Sequence, residues 1–189
     1  MRKTAFILLP MLFLATPALA HLDPVEHGSF AAGFTHPVSG LDHILAMVAV
    51  GLWAALLPPR GRFLVPAAFV VAMMAGFLLA LLGGSLPFVE PAILASGVVI
   101  GLLAAVALKV DIAVGAALVG FFALFHGYAH GGEMGSAGAL AYAGGFALAT
   151  AVLHGVGIAF GNGLGRIAIR TAGAATALAS LCLAAGIGG

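Results

Sequence analysis

The sequence has 189 residues, of which 63% are hydrophobic and 7% charged, far below the roughly 25% charged content of soluble domains. With a formal net charge of +1, no basic tail and no Gly-rich phosphate loop, it lacks the features that bind nucleic acid or nucleotides. The one cysteine, Cys182, lies in an apolar run. It can form no internal disulfide, and one thiol makes no thiolate metal site, so a small core or lipid-facing role is expected.

Residues 1–20 read as a signal peptide. Arg2 and Lys3 form a basic start, residues 5–15 an apolar core, and Ala18-Leu19-Ala20 an A-x-A cleavage site. The alternative is an uncleaved first span, but the apolar core is short for one, and Pro17 with the small residues before His21 suits a peptidase. Cleavage after Ala20 leaves His21 as the mature N-terminus on the periplasmic face of a bacterial inner membrane. The lead that follows, HLDPVEHGS, carries His21, Asp23, Glu26 and His27. It reads either as a cation-capturing tail or as a solvated one.

Six apolar stretches come next, each near the ~20 residues that a bilayer requires. They fall at about 36–57, 63–82, 87–108, 111–130, 138–160 and 167–187. The links between them are too short for a soluble domain: PPRGR, GGSLP, the neighbourhood of Lys109, GGEMGSA and GNGLGR. The predicted fold is an all-α, multi-pass integral membrane protein, one bundle of six transmembrane helices over residues 21–189. Orientation follows from the rule that basic residues stay inside. With the mature N-terminus outside, Arg60, Arg62, Lys109, Arg166 and Arg170 all face the cytoplasm. Asp23, Glu26, Glu90 and Glu133 fall outside, and Asp111 lies inside, where it caps the fourth helix at its positive dipole end. Gly97/Gly101, Gly127/Gly131 and Gly157/Gly161 have the four-residue spacing that lets membrane helices touch.

Ionisable side chains at bilayer depth are costly and face a protein interior, a water-filled path or a ligand. The stretch HPVSGLDHILAMVAVG places His36, Asp42 and His43 at the mouth of the first span. His36 and His43 share a helical stripe about 10 Å apart along the axis, too far for one ion unless Pro37 and Gly40 bend the chain and bring His36 over the mouth. Asp42 can act as a ligand or as the partner of a neighbouring imidazole. The fourth span ends FHGYAHGGE, with His126 and His130 one turn apart and Glu133 three residues on. By the orientation above, both clusters reach the outer side. Glu90, before Pro91, reads equally as a helix cap or a ligand. His154, deep in the fifth span, reads as a packed core histidine or a relay, and Met47 and Met134 as packing. Imidazole with carboxylate and no thiolate suits Ni²⁺, Co²⁺ or Zn²⁺ better than Cu(I), Mg²⁺ or Ca²⁺.

HPVSGLDHILAMVAVGLWAA and FHGYAHGGE resemble the two signature regions of the HupE/UreJ family of hydrogenase and urease accessory membrane proteins. The resemblance covers essentially the whole chain and implies a role in nickel uptake. It implies metal-path roles for His36, Asp42 and His43 from the first motif and His130 and Glu133 from the second. The His-x5-Asp-His arrangement is similar to, and one residue longer than, the His-x4-Asp-His motif of larger nickel/cobalt permeases. The expectation is a secondary permease rather than an enzyme, carrying Ni²⁺, or else Co²⁺ or Zn²⁺, with no prosthetic group. Its expected partners are the ion and the lipid bilayer; a homo-oligomer is compatible with the pattern. The alternative is an intramembrane Zn²⁺ hydrolase, since Ser39-x3-His43 and His126-x3-His130 are similar in spacing to ceramidase-like hydrolases.

Overall fold

A computed structural model describes residues 29–134 and 138–187. The predicted signal peptide and the lead with His21, Asp23, Glu26 and His27 lie outside the described residues. All regular structure among the described residues is helical: α1 (Phe30–Thr35), a 3₁₀ turn (His36–Val38), α2 (Leu41–Ala54), α3 (Gly61–Leu81), α4 (Val89–Ala105), α5 (Ile112–Glu133) and α6 (Ala139–Ala184). Three of these, α3, α5 and α6, are long and apolar enough to cross a membrane.

Two boundaries differ from the sequence expectation, each for a local reason. The first span does not begin as a helix at His36. Pro37 sits in the 3₁₀ turn, and Gly40, extended at φ −100° and ψ 122°, caps α2, whose first residue is Leu41. Across this break α1 and α2 are bent by 82°, so α1 lies across one end of the bundle. At the other end of the chain, the GNGLGR link falls where expected but as a sharp break rather than a loop: α6 is two helices that meet at Gly165, whose φ of 80° and ψ of 175° are non-helical. Glycine is what such a torsion calls for. An unbroken helix of 46 residues would reach about 69 Å, twice a bilayer core. A Cβ added at Gly161 would instead lie 3.3 Å from Ile169 Cδ1, a distance that a straight helix cannot give to residues eight apart.

Bundle packing runs through glycines that meet backbone. Gly76 and Gly127 set α3 and α5 against each other, where a Cβ on Gly127 would fall 2.6 Å from the Met73 carbonyl carbon. Gly51 of α2 meets Gly157 of α6, and Gly101 of α4 meets Gly173 and Ala177 beyond the break. Such close approach is the main source of helix association where lipid removes the hydrophobic drive. The contacts also give direction. Gly115, Gly120 and Gly127 of α5 meet Val65, Ala72 and Met73 of α3 in the same chain order, so α3 and α5 are parallel.

At the end opposite α1, Trp53 Nε1 donates to Leu108 O at 2.8 Å, and Arg170 Nε donates to Ala105 O at 2.9 Å. The segments carrying Arg60, Arg62, Lys109, Arg166 and Arg170 therefore gather at that end. Asp111 Oδ1 accepts from Ala113 N at 2.8 Å and caps α5, a contact worth about 1 kcal/mol.

Candidate functional site

The break between α1 and α2 turns the His36 ring inward to within 4.5 Å of the His130 ring, centroid to centroid, and 5.9 Å of Tyr142. His130 lies 4.7 Å from His43, and His43 lies 5.0 Å from His126. Four imidazoles from the 3₁₀ turn, α2 and α5 thus stand in an unbroken row. Three of them, His43, His126 and His130, are buried. Phe146 closes on His130 at 4.6 Å, and Tyr142 stacks between Phe77 and Phe146, so the row sits on an aromatic floor.

Hydrogen bonds set the ring orientations. His43 Nδ1 lies 3.0 Å from Asp42 Oδ1, and a carboxylate accepts, so Nδ1–H donates. A neutral His43 then presents a bare Nε2, which receives the Nε2–H of His130 across 2.7 Å. On the other flank, Ser96 Oγ donates to Ile93 O at 2.6 Å and lies 2.9 Å from His126 Nε2. A hydroxyl has one proton, so His126 Nε2 must be the donor in that second contact. The Nδ1 lone pair of His126 is then left buried with no hydrogen-bond partner. An unpaired buried acceptor is costly and suits a group waiting for a cation.

Gly40 makes the Asp42–His43 pair fit, because a Cβ there would lie 2.8 Å from Asp42 Oδ1 and 3.2 Å from His43 Nδ1. Sequence reasoning treated Gly40 only as a bend, and it passed over Ser96, Tyr142 and Phe69. Ser96 carried a signal nonetheless: it is a polar residue in the middle of an otherwise apolar span.

The remaining expected residues fall as follows. Glu133 is the last residue of α5, at the level of the histidine row. Glu90 is exposed in the first turn of α4, about 9 Å along the helix from Ser96. His154 is buried away from the row, its ring 5.0 Å from Phe69. Ser39, which the hydrolase reading requires beside His43, is exposed and gives its hydroxyl to Thr35 O at 3.0 Å; it faces back toward α1.

Among the described residues, no group of three or more His, Cys, Asp or Glu side chains is arranged to hold a metal ion as it stands. An ion bonded to two nitrogens at about 2.0–2.1 Å in tetrahedral geometry spreads them to about 3.4 Å, whereas the two Nε2 atoms lie at 2.7 Å. The row is closed by a shared proton and must open by a fraction of an ångström to take an ion. That is a small ring movement.

The sequence profile described as HupE / UreJ protein matches residues 9–183. Protein HupE of Rhizobium leguminosarum bv. viciae is 45% identical over 180 residues, 92% of this chain and 94% of that protein. No solved structure matches the chain significantly.

Proposed function

The chain belongs to the HupE / UreJ family, and from that premise we propose that it is a secondary permease that moves Ni²⁺ from periplasm to cytoplasm. It sits in the bacterial inner membrane with six spans and a periplasmic mature N-terminus, and it supplies metal for hydrogenase or urease maturation. The observation that carries the reading is the row His36–His130–His43–His126, joined by Asp42 at one end of an apolar bundle. With Asp42 it offers nitrogen and carboxylate ligands and no thiolate, a set suited to Ni²⁺ and also to Co²⁺ or Zn²⁺.

Transport requires an ion to bind well enough to leave water and weakly enough to move on. A row of imidazoles already engaged with one another meets both conditions. Each ring can exchange its hydrogen bond for the ion, and none belongs to a closed four-ligand cage. The lead with His21 and His27 acts as a capture tail, raising local ion concentration at the entrance. Ser39 is turned away from His43, and the Ser96 hydroxyl beside His126 gives its proton to Ile93 O rather than to the imidazole, so the permease reading accounts for more of the site than a hydrolase does.

Nickel accumulation in cells that lack other importers tests the proposal, with membrane levels of each variant checked by blotting. Asp42→Ala, His43→Ala, His130→Ala and Glu133→Ala should each lose uptake while remaining in the membrane. Full uptake in the His43→Ala or Asp42→Ala variants would remove the support for this mechanism.

A further inference from the structure

His154 belongs to no part of the outer row, yet its surroundings are not those of a satisfied core histidine. It is 2% exposed, and both of its ring nitrogens lack a hydrogen-bond partner. Its ring meets Phe69 edge-on at 5.0 Å, and the Phe69 ring also lies 5.6 Å from that of His126. The two imidazoles are not in ring contact with each other, and Phe69, itself fully buried, touches both. His154 also lines a groove of about 270 Å³ between α3 and α6, which follows Arg62, Pro66 and Val70 on one side and Ile158, His154 and Ala151 on the other. Arg62 belongs to the basic end of the bundle, so the groove leads from His154 toward the face opposite the histidine row.

We infer that His154 is a second, inner binding station for the divalent cation, reached through this groove from the cytoplasmic side, with the Phe69 ring as the barrier between it and His126. A buried imidazole with two unmet nitrogens needs water or an ion, and the groove is large enough to bring water to it. Phe69 supplies the apolar constriction that keeps the outer row and the inner station from being wet together, the kind of gate that closes by excluding water. The Arg62 guanidinium, whose Nη2 donates to Ala55 O at 3.4 Å, places a positive charge at the groove's mouth. That charge shortens a cation's stay and opposes its return. The station deepens the permease reading and rests on it.

Two measurements with separate footings test it. In full-length protein carrying Cys182→Ser, a His154→Cys substitution is probed with a membrane-impermeant thiol reagent in right-side-out and inside-out vesicles. Labelling is expected from the inner face and not from the outer one. Adding Phe69→Ala, or Phe69→Leu if the former fails by size exclusion, should open labelling from the outer face as well. Labelling from neither face, or from the outer face with Phe69 intact, overturns the inference whether or not the protein transports nickel. The second measurement is nickel influx into proteoliposomes. His154→Leu, which fills the same space, should lose influx while nickel binding to the outer row persists in equilibrium dialysis. Retained influx would return His154 to a packing role and overturn the station. Absence of influx in the wild-type protein would count against the permease reading, and the labelling pattern would then decide the corridor by itself.

Discussion

Gly120 and Gly127 lie seven residues apart on the same face of α5, both turned to α3, and they predict opposite responses to one added methyl group. At Gly120 a Cβ would meet Ala72 Cβ at 3.6 Å, an ordinary contact. At Gly127 it would strike Met73 O first and lie 2.6 Å from the Met73 carbonyl carbon and 2.9 Å from Phe77 N, backbone atoms that cannot rotate aside. Carbon atoms in contact prefer about 3.5–4.0 Å, so Gly127→Ala parts the helices by roughly 1 Å, and a gap of that size forfeits about a quarter to a half of each dispersion well it opens. Overpacking of this kind costs about 1–3 kcal/mol. For a chain of this length the melting temperature should fall by on the order of 5 °C. Gly120→Ala adds a contact and helix propensity and should leave stability unchanged or raise it. The assay is thermal unfolding of detergent-purified protein, followed by loss of the monodisperse size-exclusion peak. Because α5 carries His126 and His130, nickel uptake should fall with stability in Gly127→Ala and persist in Gly120→Ala. Equal melting temperatures for the two variants would refute the claim that backbone contact at Gly127 holds α3 and α5 together.

Other expectations concern the site. Asp42→Asn keeps the shape of the pair and removes the charge that orients His43; partners of this kind are worth about 10–100-fold, so uptake should fall by that order in a whole-cell nickel assay while membrane levels stay constant. Ser96→Ala removes the acceptor that fixes His126, and the nickel concentration for half-maximal influx should rise by about tenfold or more; an unchanged value would dissociate Ser96 from the path. Gly40→Ala should impair uptake more than melting temperature, because its methyl group strikes the Asp42 carboxylate rather than a helix interface. Asp111→Ala, at the far end of α5, should cost about 1 kcal/mol of stability and leave the half-maximal nickel concentration alone.

The meeting of His43 with His126 and His130 was legible in the sequence because helices running in opposite directions bring the start of α2 and the end of α5 to the same end of the bundle. His36 was harder to place. On a continuous helix it stands about 10 Å from His43; Pro37 and Gly40 marked where the chain could bend, while the 82° angle that carries His36 across to His130 came only with the fold. Phe69 was invisible for a different reason. In an apolar span every aromatic side chain looks like packing, and its position between His126 and His154 depends on how α3, α5 and α6 come together. The glycine pairs showed that helices touch, while the choice of partner came only with the fold: Gly127 found Met73, and Gly157 found Gly51. The break in α6 was read as a loop because GNGLGR is rich in turn formers. A single residue, Gly165, reverses the chain, and the helix on either side absorbs the rest.

The sequence holds one tryptophan, Trp53, and its place in the fold gives the protein an optical reporter of its own. Trp53 is ten residues along α2 from His43, about 15 Å by helical rise, fully buried and tied through its indole nitrogen to Leu108 O. Its ring also presses on Gly115 near the start of α5. Intrinsic fluorescence therefore watches the junction where α2 meets the α4–α5 link and is remote from the histidine row. A shift in emission maximum on adding nickel would record motion carried down α2 to the far side of the membrane. A steady emission maximum, with nickel bound, would describe a bundle whose lower half stays rigid while the ion enters.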